Sequence, residues 1–182
     1  MAIFKKAMLI FFIVILILFF NLIIFFFVSF KTEYKDIVLN VSSTFNIEPS
    51  LIFSIIKAES KFNKNAKSSA GAIGLMQIKL STANYMLTLD GEDVISENEL
   101  FMTENNIKLG TQYFAYLLNK FENLDVSICA YNAGETVVRQ WLQDETLSKD
   151  GKTLIKIPYT ETENYLKKVQ FNQKIYKNML KV

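Results

Sequence analysis

The sequence predicts a mainly α-helical domain preceded by one membrane-crossing helix, and three observations carry that expectation. Residues 7–30 form a long apolar run without a single charge. Beyond it, apolar side chains recur at spacings of three, four and seven, which is the helical period. Nowhere does the chain alternate apolar and polar residues in the manner of a series of strands. A length of 182 residues suits one globular domain with an appendage.

Lys5 and Lys6 precede the apolar run, which is long enough to cross a hydrocarbon core needing about 20 helical residues. A cleaved signal peptide is the rival reading, with the two lysines as its basic start. Such a segment has an apolar stretch of about 7–15 residues and a small-x-small cleavage site, and this run is longer and lacks the site. Residues 1–30 are therefore expected to be an uncleaved signal anchor, and residues 31–182 the domain. Lys31 and Lys35 flank the far side, so the lysine bias toward an inside N-terminus is slight.

Residues 32–45 carry Ile37, Val38, Val41 and Phe45 on one face and read as an amphipathic helix stopping at Asn46. Pro49 suits the first turn of the next helix, 49–62. On it Ile52, Ile55, Ile56 and Glu59 share a stripe. From spacing alone, a solvated glutamate at the frayed end of a core helix is the simpler account of Glu59. The sharper one is a carboxyl driven into the core, where burial raises its pKa toward the range a general acid needs. Residues 63–74 are rich in small and turn-forming types, with Gly71 and Gly74 free to adopt positive φ or to let backbone approach a ligand.

Further on, 81–89 reads as a short helix and 90–99 as an acidic surface loop without the ligand spacing of a calcium loop. Residues 106–121 place Ile107, Gly110, Phe114, Leu117, Leu118 and Phe121 at helical spacing. Asp125 is the expected cap of a helix over 126–133, ended by Gly134. Val137, Val138, Trp141 and Leu142 indicate another short helix, and Pro158 precedes a last one over 160–180.

Composition excludes several chemistries. With Lys5 and Lys6 set aside, 18 basic residues balance 18 acidic ones, so no concentrated basic face for nucleic acid is expected. There is no histidine and one cysteine, Cys129, which rules out an internal disulfide, Cys-His zinc sites and His-based triads or dyads. Cys129 reads as a small core hydrophobe. No metal or other cofactor is expected, and catalysis must rest on carboxylates, phenols, amines, amides or hydroxyls.

Around Glu59 the chain reads Ile-Lys-Ala-Glu-Ser-Lys-Phe-Asn, and later Ser-Ala-Gly-Ala-Ile-Gly-Leu-Met-Gln-Ile. This resembles the first motif of the lytic transglycosylase catalytic domain, the soluble-lytic-transglycosylase type with a lysozyme-like fold of the goose-type kind. Ala130-Tyr131-Asn132-Ala133-Gly134, followed by Val138 and Trp141, is similar to the family's second motif, and 157–169 to its third. Asn105-Asn106-Ile107 with Gly110 matches the stretch between, so four blocks in order cover residues 40–180. One departure is visible: Lys79-Leu80 stands where the family usually has a proline after the Met-Gln pair.

The resemblance implies that Glu59 is the sole catalytic carboxylate. It would protonate the β-1,4 oxygen between N-acetylmuramic acid and N-acetylglucosamine, then help the muramyl 6-hydroxyl close a 1,6-anhydro ring. The substrate's acetamido group would replace the second carboxylate of ordinary glycosidases. By the same likeness Ser60, Met76, Gln77, Tyr131, Asn132 and Glu161 would bind substrate or support the acid, while Tyr159 and Tyr165 read as packing. The implied partners are peptidoglycan glycan strands and the membrane, with an envelope-spanning or secretion machine as a further candidate and nucleic acid excluded. The implied location is the bacterial cytoplasmic membrane, single-pass, with the domain outside the cytoplasm. Rival readings are a goose-type lysozyme-like hydrolase, with Asp90, Glu92 or Asp93 as its second carboxylate, and a catalytically idle glycan-binding or scaffold protein.

Overall fold

A computed structural model describes residues 2–180; Met1, Lys181 and Val182, which end the expected segments 1–30 and 31–182, lie outside the described residues. The chain forms two compact units, one ending at Glu33 and the other beginning at Tyr34. The first unit is helix α1, Ala2–Ser29. Its large apolar side chains from Phe4 to Ile24 are exposed, Ile23 only partly so, and this 21-residue stretch is long and apolar enough to cross a membrane. Asn21 returns its amide to the Ile17 carbonyl at 2.8 Å, which satisfies within the helix a polar group that hydrocarbon could not.

The second unit is built from helices around α3, Pro49–Glu59. Its flanks are α2 (Lys35–Phe45) and α9 (Thr160–Met179); α6 (Thr103–Phe121) packs on α2, and α7 (Leu124–Ala133) bridges α6 and α9. Helix α3 is not the half-buried helix its apolar stripe suggests. Leu51, Ile52, Phe53, Ile55 and Ile56 are all buried, so the helix is enclosed nearly all round. It packs chiefly on α9, with Phe53 stacked on Tyr176 at 5.3 Å and α2 on another side. Each such side chain withdrawn from water contributes roughly 1.5–3 kcal/mol.

A second layer joins α4 (Leu80–Leu89), the short α5 (Glu97–Leu100) and α6 around Ile73, Met86, Leu100 and Leu109. A third cluster, around Val126, Val138 and Trp141, joins α6, α7 and α8 (Glu135–Gln143). Between α3 and α4 runs a small antiparallel hairpin, β1 (Ala72–Ile73) with β2 (Ile78–Lys79).

Several expected boundaries move for local reasons. Helix α2 begins at Lys35 rather than residue 32, because Tyr34 turns left-handed at φ 65°. Helix α3 stops at Glu59 rather than 62, since Lys61 and Phe62 are both left-handed. The acidic stretch is not all loop: Ser96 and Glu99 cap each other reciprocally and start α5. Asn123, not Asp125, caps α7 by accepting from the Val126 N–H.

Candidate active site

Glu59 is the last residue of α3. A helix enclosed nearly all round delivers its final side chain to the rim of the core, so the carboxyl is half-buried rather than solvated. Withdrawal from water is the largest influence on it and raises its pKa to about 7. The Tyr165 phenol and the Lys168 ammonium pull the other way by favouring the carboxylate, and the negative charge of Glu161 pushes it up again. Balanced in this way, Glu59 can hold a proton near neutrality and give it up on demand.

Helix α9 supplies these three neighbours. Glu161, Tyr165 and Lys168 recur at intervals of four and three, which sets them on one helix face. Lys168 Nζ donates to the Ala58 carbonyl at 2.6 Å. That carbonyl belongs to the last turn of α3, where helix geometry leaves C=O groups unpaired and favours a cation. The Tyr165 hydroxyl is buried and forms no hydrogen bond of ordinary geometry among the described residues, though it acts on the Glu59 carboxyl. Glu161 is exposed at the start of α9.

Tyr131, on α7, faces the same carboxyl. Burial and the charge of Glu59 hold its phenol well above the usual range, so it stays protonated. It donates to the Met76 carbonyl at 2.8 Å. The neighbouring Asn132 accepts from the Thr162 hydroxyl at 2.8 Å, which ties α7 to α9. Its amide nitrogen makes no bond among the described residues and remains available to donate.

The turn from Gly74 to Gln77 is held rigidly by buried Asn106 on α6. That amide accepts from the Met76 N–H at 2.8 Å and donates to the Ile73 and Leu100 carbonyls. Gly74 lies so close that a Cβ would fall 2.2 Å from Asn106 Nδ2, and its φ of +76° is left-handed as well. Gln77 is also left-handed, at φ 47°, and donates to the carbonyls of Ala66 and Gly74. The side chain of Met76 is fully buried against Gly110 and Thr111.

Glu59, Tyr131 and Glu161 thus converge, with Asn132 beside Tyr131. Ser60 is turned inward: it caps the end of α3 and its hydroxyl bonds back to the Ile56 carbonyl at 3.1 Å. Met76 lies beneath the turn and meets Tyr131 through its backbone, while the Gln77 amide nitrogen donates to two of the loop's own carbonyls. Tyr159 packs edge-on against Trp141 at 4.9 Å, as a packing residue should. Tyr165 does not behave as packing alone, since it faces Glu59. Tyr165 and Lys168 were legible in principle from their spacing after Glu161. Asn106 had no such signal, because its partners come from distant turns.

The transglycosylase SLT domain family matches residues 36–154, a span that includes Glu59, Gln77 and Tyr131 and stops before α9. The soluble lytic murein transglycosylase of Escherichia coli K12 is 36% identical over 145 residues, 77% of this chain and 22% of that protein. The membrane-bound lytic murein transglycosylase C of Serratia proteamaculans is 34% identical over 174 residues, 80% of this chain and 47% of that protein. The chain therefore spans between about a fifth and a half of the length of these relatives. Among solved structures, an inactive mutant of the lytic transglycosylase Slt of Pseudomonas aeruginosa superposes with a TM-score of 0.74. It is 31% identical over 83% of this chain and 25% of that one. The 70-kDa soluble lytic transglycosylase in complex with bulgecin A gives the same TM-score at 30% identity, over 84% of this chain and 25% of that one. The expected helical, lysozyme-like fold is therefore the observed one.

Proposed function

On the premise that the chain belongs to the transglycosylase SLT domain family, we propose that it is a membrane-anchored peptidoglycan lytic transglycosylase with Glu59 as its single acid and base. The carrying observation is the Glu59 carboxyl itself, held to a pKa of about 7 at the end of a buried helix and faced by two protonated phenols. Such an acid donates its proton to the glycosidic oxygen as the bond to C1 of N-acetylmuramic acid breaks. The resulting carboxylate, favoured by Tyr165 and Lys168, takes the proton of the muramyl 6-hydroxyl as that oxygen bonds to C1. The 1,6-anhydro ring closes, and Glu59 ends protonated as it began.

The surrounding carboxylates support this reading over hydrolysis. A hydrolase needs a second carboxylate placed to activate water or to attack C1. Asp90 is occupied by Gln112 at 2.8 Å and Glu92 by Lys108 at 3.3 Å. Glu92 and Asp93 line a depression of about 450 Å³ bordered by Leu87, Asn105 and Lys108, a set that includes none of the groups around Glu59. Glu161, the carboxylate whose charge reaches Glu59, is assigned a supporting role. Ser60 and Gln77 are assigned to holding the acid's helix end and the adjacent loop, Met76 to the packing beneath it, and Tyr131 and Asn132 to substrate contact.

The apolar helix α1 supports an anchor that keeps the domain beside the wall outside the bacterial cytoplasmic membrane. The test is digestion of purified peptidoglycan by the full chain in detergent, with Glu59→Gln as control and mass spectrometry of the muropeptides. Products ending in 1,6-anhydromuramyl residues, lost by at least about 100-fold in the variant, are expected. Reducing ends would overturn the transglycosylase in favour of a hydrolase, and equal lysis by the variant would remove Glu59 from the chemistry. No lysis at all would put the glycan-binding or scaffold reading ahead.

A further inference from the structure

The last turn of α3 is held by a side chain from far along the sequence. Because the chain turns left-handed at Lys61 and Phe62, no further helical turn brings a backbone N–H to the Ala58 carbonyl. Lys168 Nζ takes that place at 2.6 Å, where the negative end of the α3 dipole favours a cation. Its neighbour Lys167 shows the ordinary alternative, an exposed pair with Glu163 at 2.5 Å one turn back on α9. Lys168 instead gives up the freedom of a long side chain to reach a backbone group next to Glu59. It lies in α9, beyond the residues 36–154 that the family matches.

The position is electrostatically unfavourable for an ammonium unless it serves the carboxyl. Burial, and then the charge of Lys61, holds the Lys168 ammonium below its ordinary range, and burial with Lys168 and Lys61 does the same to Lys57. A tie needed only for packing could be a neutral hydroxyl or amide, with no third ammonium brought beside two others. The influence that opposes this on Lys168 is the negative charge of Glu59. Glu59 is faced by Glu161, Tyr165 and Lys168 from α9 and by Tyr131 from α7, while Lys57 and Lys61 flank it on its own segment. Among the described residues, Lys168 is the cation whose charge acts on the Glu59 carboxyl.

We propose that Lys168 is a positioning residue for the reaction at Glu59: its ammonium ties α9 to the last turn of α3 through the Ala58 carbonyl, which fixes the direction of the acid, and its charge favours the carboxylate that proton donation leaves. The inference rests on the lytic transglycosylase reading and deepens it. Lys168 acts through Glu59 and not on the sugar. Its loss therefore slows the step in which Glu59 gives up its proton and leaves substrate binding in place.

Two measurements on the full chain in detergent micelles test this. One follows release of 1,6-anhydro products from soluble glycan strands across pH. The other titrates the Glu59 carboxyl by carbon-13 NMR, with its resonance identified by its loss in Glu59→Gln. Lys168→Met should lower kcat by about 10- to 100-fold and leave KM within about twofold. It should also move the NMR midpoint and the falling limb of the rate to higher pH, because Glu59 without a neighbouring positive charge holds its proton longer. Lys168→Arg, which keeps both charge and donor, should restore the midpoint and most of kcat. If Lys168→Met does not fold, Lys168→Gln, which keeps a donor for Ala58 and removes the charge, carries the same test. A midpoint that does not move on loss of the charge, one that stays raised in Lys168→Arg, or a rise in KM with kcat kept would overturn the proposal. Provided the wild-type chain releases anhydro products, the catalytic reading would then stand; if it releases none, both readings would fall.

Discussion

At the scale of the residue, the chemistry proposed for Glu59 depends on opposed influences on one proton. Burial holds the acid form, while Tyr165 and Lys168 favour the carboxylate that must follow once the glycosidic oxygen has been protonated. The sign of the pH dependence follows. Glu59 must start protonated, so turnover should be flat on the acid side of about 7 and fall as pH rises through it, approaching about tenfold per pH unit on the alkaline side. Tyr165→Phe removes a group that lowers this pKa, so the falling limb should move to higher pH. A pH–rate profile on soluble muropeptide checks both, and an unmoved limb in Tyr165→Phe would reduce Tyr165 to packing. Cys129 plays no part in this balance: burial pushes its thiol up to about 12, as befits a core hydrophobe.

At the scale of the element, the site depends on how α6 and α7 hold the turn from Gly74 to Gln77. Asn106 is the pin, because one buried amide satisfies a backbone N–H and two carbonyls. Asn106→Ala leaves all three unpaired, and each such buried group costs about 1–3 kcal/mol. The thermal midpoint, followed by near-UV circular dichroism, should drop by about 10 °C or more. Gly74→Ala should be comparably damaging, through both its left-handed φ and the clash with Asn106. In the double variant the clash is relieved and the φ strain stays, so the combined loss should be smaller than the sum. Strict additivity would mean that the two residues do not share one contact. The left-handed pair Lys61 and Phe62 acts at the other end of the same loop: it stops α3 immediately beyond the acid and turns Phe62 onto Phe53, 6.3 Å away.

At the scale of the whole molecule, the proposed anchor and the helical domain answer to different solvents. Between Phe4 and Ile24 the apolar side chains face outward, whereas in the domain they face inward. The full chain should therefore stay with membranes through an alkaline carbonate wash and leave them only in detergent. Val14→Arg combined with Leu18→Arg adds roughly 5–7 kcal/mol to insertion on translocon scales and should release the chain to the soluble fraction. Retention of that variant in the washed membranes would mean that something other than α1 holds the protein there.

Taken alone, the sequence determined what local physics can determine. The uncharged run, the helical periods, the glycine at the end of α7 and the four ordered motifs led to a mainly helical, lysozyme-like domain with Glu59 at its centre. It misplaced helix ends near Tyr34 and Lys61, because a left-handed turn at a non-glycine residue leaves no compositional mark. It passed over α5, whose capping box sits inside an acidic run. Only the tertiary structure decided that α3 is enclosed on nearly every side. It alone brought Lys168 to Ala58 across 110 residues and Tyr131 to Met76 across 55, and lined Tyr85 up with Tyr113 and Tyr116. Periodicity reports which face of a helix avoids water, and the identity of the group it meets there is fixed by the packing of distant segments.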